Sequence, residues 1–532
     1  MNKKNLLILL ILATCFKEII WSATTPLWHT PDEQAHFAQV QNTVEVRGDP
    51  KGQDLSNEIA TSEQLLGTFR DEQGKNSFTH HPEYNIAYTD TKTGKFEEKI
   101  NSIPFYERTK FIKNEATNYP PLFYLLSSIP YRIFYTSGLI TRAFTVRFSS
   151  IIFGIFTVYF TYLISRLIFP KKFLFQITSA VLVSFQPMFT FVSAGTNSDN
   201  LFNALFTIFI YLYLKLIQQF NVKYVILIFF TLWAGISTKV QMYVLFFPLF
   251  LLLVYLFLKS LSSKKTHKKT KTVFFIISFS LVLFLLSIRY VLKKTAGGGD
   301  LIPEISLSPN QKAIDLTLFD HFIWTLRHTI AEVVPWYWGV FKWLGVTLPR
   351  IVNRVINRFT IIAAFGILIK IITIFKKKEF NFQNAALGLL MFFSLYYFFI
   401  LMIWDYFFRV GHGFSLGFQG RYYFPTISAH MILLQVGLLS LLPKKFIKIK
   451  YLVAKSLVFL MIILNFIGLF TLANSYYDLS SFQAFLIQIS QYKPFFYKGF
   501  SFVFLGIIYL LLISTLLVTI AKYPQKKTDK ND

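Results

Sequence analysis

The sequence has little cysteine and little charge. Its one cysteine, Cys15, lies inside the first apolar run, so the chain can form neither an intrachain disulfide nor a cysteine-based metal site. Only 15% of the 532 residues are charged and 54% are hydrophobic, whereas soluble proteins carry about 25% charged residues. This composition excludes a soluble globular enzyme and also a disordered chain.

Acidic residues are scarce relative to basic ones. The 27 Asp and Glu stand against 54 Lys and Arg, which leaves a net charge of +27. Short cytoplasmic loops of multi-pass membrane proteins carry such an excess, so the charge is no argument for nucleic-acid binding. The alternating strands of a membrane β-barrel are also lacking. The apolar runs are long and continuous, which predicts an all-α polytopic membrane protein.

Twelve apolar runs, most of about 17–22 residues, have the length that a helix needs to cross the bilayer core. They cover residues 5–23, 147–167, 173–193, 200–218, 223–238, 241–259, 273–292, 359–375, 383–403, 422–442, 451–472 and 499–520. The densest basic cluster, residues 259–271, is assigned to the cytoplasm because Lys and Arg accumulate there. Alternation then puts both termini in the cytoplasm of a multi-pass protein of the plasma membrane.

We interpret residues 1–532 as a single membrane domain with two large external regions. The first, residues 24–118, holds 15 of the 27 acidic residues, and the second covers residues 293–358. Between the first loop and the next span, three prolines interrupt residues 119–137, which predicts an interfacial or re-entrant helix. The alternative is that residues 119–137 cross the membrane.

The first run is followed by TPDEQAH, which places titratable groups at the membrane boundary. Asp32 and His36 are four residues apart and share one face of a helix. Asp32, with Glu33 beside it, is a candidate general base towards an alcohol, or a metal ligand together with His36. The alternative is that the acids only favour a helix N-terminus through its dipole.

Two further charges stand at external ends of spans. Asp199 follows TNS and either caps the next helix or faces the same cavity as Asp32. Lys239 lies between two apolar runs on the side that should lack cations. It is a candidate for phosphate binding, or it only snorkels to the lipid headgroups.

The segment before residue 359 combines aromatic and basic residues. Arg350, Arg354 and Arg358 recur every four residues, which predicts an amphipathic helix at the external interface. Guanidinium groups on one face suit a donor phosphate or, equally, lipid headgroups. Trp336 and Trp338 belong either to an interfacial aromatic belt or to a sugar-binding surface.

A further external segment, residues 404–425, carries Asp405 as a candidate substrate contact and Arg421 as a candidate phosphate ligand. Arg421 opens a span, again against the positive-inside trend. The chain lacks a Gly-rich phosphate loop, a nucleophile elbow and an HExxH motif, so nothing in it indicates ATP use.

Five strings occur in order between residues 26 and 425: TPDEQAHF, NYPPLFYLL, QPMF with TNSDNLFNAL, YWGVFKWL and FQGRYYFP. Together they resemble the GT-C class of integral-membrane glycosyltransferases. They are most similar to a bacterial multi-pass family labelled only as a domain of unknown function.

The resemblance implies a GT-C-like fold with a large first external loop and transfer of a sugar from a polyprenyl-phosphate donor. The acceptor would be an envelope glycan or a lipid-linked molecule on the external face. It implies that Asp32 is the base or metal ligand, with Mg²⁺ or Mn²⁺ left open, and that Lys239 and Arg421 hold the phosphate. Asp199 matches a later acidic position, and Tyr119 stands where the class often has His.

Two other classes of function stay open at this point. One is a transporter or flippase of a lipid-linked saccharide, and the other is a non-catalytic partner in envelope polysaccharide assembly. Transporters place polar groups near the bilayer midplane, whereas these candidates stand at the external boundary, which favours the enzyme.

Overall fold

The computed structural model describes residues 2–46, 55–68, 87–89, 95–112, 120–261, 272, 275, 279, 316–415 and 417–524. The all-α prediction is confirmed, because the described chain is built almost entirely from helices. They are α1 (Lys3–Thr24), α2 (Glu33–Glu45), α3 (Asn57–Leu66), α4 (Glu97–Asn101), α5 (Leu122–Ile133), α6 (Leu139–Ile168), α7 (Phe173–Ser184), α8 (Pro187–Ser193), α9 (Asp199–Gln218), α10 (Val222–Ile236), α11 (Phe246–Leu261), α12 (Leu318–His328), α13 (Val334–Trp338), α14 (Arg350–Lys377), α15 (Phe382–His412), α16 (Ile427–Ser440), α17 (Ile447–Tyr476), α18 (Phe482–Ile489) and α19 (Gly499–Ala521).

Short elements complete the described chain. Two antiparallel pairs of two-residue strands join Leu55–Ser56 (β1) to Phe111–Ile112 (β2), and Val340–Phe341 (β3) to Val346–Thr347 (β4). Short helical segments of three to seven residues occupy Phe105–Thr109, Val240–Leu245, Thr329–Val333, Gly420–Thr426, Lys444–Phe446 and Phe495–Tyr497.

Nine helices of the described chain are long and apolar enough to cross a membrane. They correspond to nine of the twelve predicted runs. The run at 173–193 is broken into α7 and α8, which meet at 62°, because Gln186 caps α8 and Pro187 occupies its first position. The run at 223–238 forms the 15-residue α10, and that at 273–292 lies outside the described residues apart from positions 275 and 279. The total of twelve spans stays a prediction.

The spans divide into central and peripheral helices. Burial reaches 78% in the apolar windows of α9 and of the Gly420–Ser440 span, but only 11% in α14 and 22% in α19. In a membrane, exposed apolar side chains face lipid. Peripheral α14 is held against α16 at Gly366 and Gly437, where an added Cβ would overlap the backbone of the other helix.

Two segments between the large loops and the spans were predicted to be interfacial helices. The Arg350–Arg358 stretch is not a separate interfacial helix, because it forms the first turns of the 28-residue α14. Helix α5, within residues 119–137, has 12 residues and is therefore about 18 Å long, shorter than the roughly 30 Å hydrocarbon core. Its interfacial placement stays a prediction.

Candidate functional site

Four charged side chains from distant parts of the sequence meet at one end of the helix bundle. Arg421 Nη2 lies 2.7 Å from Asp32 Oδ2, and its Nη1 lies 3.8 Å from Asp199 Oδ2. Lys239 forms an ion pair with the other carboxylate oxygen of Asp199. We call Asp32, Asp199, Lys239 and Arg421 the charge cluster. It contains two negative and two positive groups, so its formal charge balances.

Asp32 is the most accessible member of the cluster. Its side chain is 36% exposed, whereas those of Asp199 and Arg421 are 10% and 5% exposed. Its backbone is left-handed, with a φ of 56°, which is uncommon for a residue other than glycine and is found at functional sites. The Asn197 side-chain amide donates to the Pro31 carbonyl at 2.9 Å, so the loop before α9 supports this backbone.

Asp199 stands in the first turn of α9, where the helix dipole favours a negative charge. It is not the cap of the helix, since Ser198 precedes it in that position. Its backbone N–H donates to Asn197 Oδ1 at 2.8 Å. The carboxylate is left to pair with Lys239 and Arg421, which makes it a partner of both cations of the charge cluster.

Lys239 follows the end of α10, and its extended backbone places it just before the Val240–Leu245 turn. Two residues earlier, the Ser237 carbonyl accepts a hydrogen bond of 2.8 Å from the Leu122 N–H at the start of α5. The short helix α5 is therefore attached to the segment that carries Lys239. This contact brings the Pro-Pro segment, which contains Pro121, close to the charge cluster.

Arg421 is positioned by close packing and by two neighbours. Gly420 touches the backbone of Trp336 and Tyr337 so closely that a Cβ would overlap it. Arg421 Nε donates to Gln419 Oε1 at 2.9 Å, and the guanidinium lies 5.3 Å from the Tyr422 ring centroid. These contacts fix the direction of the guanidinium fork before any ligand binds.

His36 is buried and lies within electrostatic range of the Asp32 and Asp199 carboxylates. Its Nδ1 is 2.9 Å from Tyr124 Oη, and the two rings are stacked. Burial lowers the pKa of His36 to about 4, although Asp32 and Asp199 act in the opposite direction. The imidazole is therefore neutral at physiological pH, and the negative charges near it do not reverse that.

Glu33 has a different environment from its neighbour Asp32. Arg147 Nε and Nη2 donate to its two carboxylate oxygens at 2.6 and 2.7 Å, and both side chains are buried. The sequence pattern alone did not single out Arg147. The available signal was an arginine that begins an apolar run at the end predicted to be external, against the positive-inside trend.

The connection between α1 and α2 is clamped by further buried groups that sequence reasoning missed. Arg147 donates to the carbonyls of Ser22, Thr25 and Pro26, and Lys493 Nζ donates to the Thr25 carbonyl at 2.6 Å. His29 Nδ1 lies 2.9 Å from Tyr476 Oη, and burial lowers the pKa of His29 well below its ordinary value. The clamp fixes the path of the chain into Asp32.

Residues 15–429 match the family described as "Predicted membrane protein (DUF2142)". The chain belongs to the DUF2142 family. The predicted membership of a membrane family of unknown function is thus confirmed, and all four residues of the charge cluster fall inside the matched region. No curated protein matches the chain.

Solved structures resemble this DUF2142 chain only distantly. ArnT from Cupriavidus metallidurans in the apo state has a TM-score of 0.37 and 12% identity, over 95% of this chain and 72% of ArnT. The Archaeoglobus fulgidus oligosaccharyltransferase in its apo form has a TM-score of 0.42 and 14% identity, over 99% of this chain and 61% of the archaeal one. ArnT bound to undecaprenyl phosphate gives 0.37 and 12%, over 96% and 74%.

Several predicted site residues of the DUF2142 chain lie apart from the cluster. Arg350, Arg354 and Arg358 are exposed, and within the described residues none of their side chains forms an ion pair or hydrogen bond. Asp405 is buried, accepts hydrogen bonds of 3.0 Å from Ser415 Oγ and lies 3.6 Å from His321 Nε2. Tyr119 lies outside the described residues.

Trp336 and Trp338 belong to the short helix that packs beside Gly420, the neighbour of Arg421. Trp338 is buried and Trp336 half-buried in α13, and this helix supplies the backbone against which Gly420 packs. The backbone of Trp336 and of its neighbour Tyr337 therefore contacts the segment that carries Arg421. A role in contacting a sugar stays a prediction.

The sequence analysis kept a divalent cation bound by Asp32 and His36 as one alternative. The side chains around these two residues do not fit such an ion. Arg421 already bridges the two carboxylates, and His36 Nδ1 is engaged with Tyr124. Across the described residues, no group of three or more His, Cys, Asp or Glu side chains is arranged to hold a metal ion. The cations available at this site are therefore Lys239 and Arg421 themselves.

Proposed function

We propose that this DUF2142 protein is a GT-C-type membrane glycosyltransferase. It transfers a sugar from a polyprenyl-phosphate donor to an envelope glycan or lipid-linked acceptor on the external face. The observation that supports this proposal best is the charge cluster. It combines an accessible carboxylate with two cations at the ends of membrane spans, where a lipid-borne phosphate and a water-borne hydroxyl can meet.

Asp32 is the general base in this proposal. It takes the proton from an acceptor hydroxyl while the hydroxyl oxygen attacks the anomeric carbon of the donor sugar. The bond between that carbon and the phosphate oxygen breaks, and the configuration inverts. The products are the glycosylated acceptor, polyprenyl phosphate and a protonated Asp32, which returns its proton to water.

Arg421 and Lys239 hold the donor phosphate. Guanidinium and ammonium groups stabilise the negative charge that develops on the leaving phosphate, and Arg matches phosphate with two parallel N–H groups. In the resting protein both cations are neutralised by Asp32 and Asp199. A phosphate that enters the cluster competes for Arg421, which leaves the Asp32 carboxylate able to accept a proton.

The remaining residues near the cluster act by positioning. Glu33 is a positioning residue in this proposal, because Arg147 occupies both of its carboxylate oxygens. His36 contacts Tyr124 of α5. Asp199 pairs with Lys239 and Arg421 and so positions both cations. Arg350, Arg354 and Arg358 lie at the start of a peripheral span, a location that favours contact with lipid headgroups over contact with the reacting sugar.

The enzyme is favoured over the transporter by where the charges stand. Lys239 follows the last turn of α10, and Asp199 belongs to the first turn of α9. Transporters instead use discontinuous helices near the bilayer midplane. One broken helix pair, α7 and α8, does occur here. Its break lies at Phe185–Gln186, where Gln186 donates to the Tyr337 carbonyl, and no residue of the charge cluster is part of it.

The test is a transfer assay in lipid vesicles. Purified full-length protein is offered a panel of radiolabelled polyprenyl-phosphate sugars with glycan and lipid-linked acceptors. The compared variants are Arg421→Gln, Lys239→Gln and Asp478→Asn. Asp478 is an exposed acid that pairs with Ser480, so it serves as the matched control. We expect transfer by the wild type and the control, and weaker donor binding in the two cation variants.

Two results would replace the proposal. Labelled lipid that crosses the vesicle membrane without transfer would establish the transporter. Neither transfer nor transport with any donor, in protein that is folded and inserted, would favour the assembly partner.

A further inference from the structure

Carboxylates from separate segments of a chain are among the groups with which a protein holds a divalent cation. In this chain they are Asp32, in the loop before α2, and Asp199, at the start of α9. The space between them holds the Arg421 guanidinium, whose two Nη atoms each point to a different carboxylate. A side-chain cation thus stands where two acids would otherwise share a metal.

We infer that the Arg421 guanidinium replaces a divalent cation, so that this protein needs no metal ion for the transfer reaction. The inference deepens the proposed function and rests on it for the reaction itself. Its statement about metal binding is independent of any activity. The guanidinium would supply to the leaving phosphate the positive charge that a metal supplies, through N–H groups instead of coordination bonds.

The second cation of the cluster strengthens this reading. Lys239 forms an ion pair with Asp199, so the two acids are matched by two bases and no net negative charge remains to attract a divalent ion. A metal entering between Asp32 and Asp199 would have to displace Arg421. It would also meet repulsion from Lys239 at short range.

The Arg421 side chain is buried and held by several contacts, unlike the side chains of an exposed surface ion pair. The side chain is 5% exposed, its Nε is held by Gln419, and Gly420 locks its backbone against α13. A planar guanidinium held at three sides keeps its fork towards the carboxylates. The same fork is then directed at a phosphate that replaces one of them.

The test measures Mn²⁺ binding by the full-length protein in lipid vesicles, using the electron paramagnetic resonance of free Mn²⁺. We expect no saturable binding that depends on Asp32 in the wild type or in Arg421→Lys, which keeps a cation between the acids. Arg421→Ala should gain one site with a Kd of about 10⁻⁴–10⁻³ M, the range of weak carboxylate sites. The double variant Asp32→Asn with Arg421→Ala should lose that site.

Saturable Mn²⁺ binding by the wild type that Asp32→Asn abolishes would overturn the inference. So would a folded Arg421→Ala protein that gains no site, or wild-type transfer that a chelator stops and Mn²⁺ restores. If Arg421→Ala does not fold, the wild-type measurement still decides. A wild type that neither binds Mn²⁺ nor transfers any sugar would contradict the proposed function while leaving the metal statement intact.

Discussion

At the scale of single residues, Asp32 and Glu33 show how neighbours in sequence take different roles. Asp32 has a left-handed backbone and a partly exposed carboxylate, whereas Glu33 points inward to Arg147. Their side chains point in different directions because Asp32 lies outside the helix that begins at Glu33. The acid that faces water can therefore react, and the acid that faces the protein can hold it in place.

Breaking the buried ion pair between Glu33 and Arg147 should destabilise the fold, because Glu33 has a structural role and not a chemical one. Glu33→Gln leaves the buried Arg147 guanidinium without its counter-charge, so we expect the free energy of unfolding to fall by about 3–5 kcal/mol. Thermal unfolding in detergent measures it. Glu98→Gln, which makes the same change at an exposed glutamate of α4, is the matched control and should unfold like the wild type. An unchanged unfolding temperature in Glu33→Gln would contradict the assigned role.

His36 predicts a defined pH dependence of stability. Its pKa in the folded protein is about 4, below the roughly 6.5 of an unfolded chain, so the unfolded state binds the proton more readily. The stabilisation is present above pH 6.5 and is lost as the pH falls towards 4, roughly 2 kcal/mol of it by pH 5. The difference in unfolding between pH 8 and pH 5 should therefore be smaller in His36→Gln than in the wild type. Equal differences would show that His36 is not buried as a neutral ring.

At the scale of elements, the segment Gly420–Thr426 connects the charge cluster to the bundle. It leads directly into α16, which packs on α14 through Gly437. Its first residue, Gly420, packs on α13. The position of Arg421 therefore depends on backbone contacts that admit no side chain at these glycines.

A pair of glycine substitutions tests this dependence. Gly420→Ala inserts a methyl group into the backbone of Tyr337, so we expect Arg421 to shift and donor binding to weaken by about tenfold or more, as a 1 Å displacement can cost about 10²-fold in rate. Gly411→Ala adds the same methyl group where nothing lies within 4 Å. It should bind donor as the wild type does. Equal affinities in both variants would remove the packing of Gly420 from the account.

The sequence predicted most helices because apolar length is a strong signal, but it did not predict how they end. Gln186 and Pro187 are a readable start signal for α8, and they were overridden by the continuous apolar pattern on both sides of them. The amphipathic pattern of Arg350 to Arg358 is real. It nevertheless continues without a break into α14, because periodicity does not reveal where an interfacial turn becomes a span.

At the scale of the whole molecule, the ends of α1, α10 and α17 gather on the side that carries the charge cluster. Tyr477 donates to the Thr24 carbonyl at 2.9 Å, and Lys342 donates to the Ser475 carbonyl at 2.5 Å. At the opposite end, Lys455 donates to the Ala521 carbonyl. This arrangement agrees with spans that cross the membrane in alternating directions. The assignment of the charge cluster to the external side rests only on the distribution of Lys and Arg.

Cysteine labelling measures that sidedness. In a Cys15→Ser background, Ser480→Cys and Lys448→Cys place single thiols at exposed positions near the two ends of α17. A membrane-impermeant maleimide added to intact cells should label position 480 and leave position 448 unlabelled until the cells are opened. The reverse pattern would put the charge cluster in the cytoplasm and exclude an external donor.

The candidate site could be predicted in part, since each member of the charge cluster is a charge at an unusual place along the chain. Asp32, Asp199, Lys239 and Arg421 all stand at ends of apolar runs. Their pairing could not be predicted, because it depends on how helices 40 to nearly 400 residues apart pack together. The role of buried Arg147 could not be predicted for the same reason, because it depends on the carbonyls and the carboxylate that the fold brings to its guanidinium.

The most direct test of the account compares donor binding and transfer in Asp32→Asn and in the wild type, using the same vesicles and the same polyprenyl-phosphate sugar. We expect the variant to bind donor at least as well as the wild type, because Arg421 is released from its carboxylate. We also expect its transfer to be about 10²–10⁴-fold slower, because the base is gone. Transfer at the wild-type rate by Asp32→Asn would contradict the central claim that Asp32 carries the chemistry.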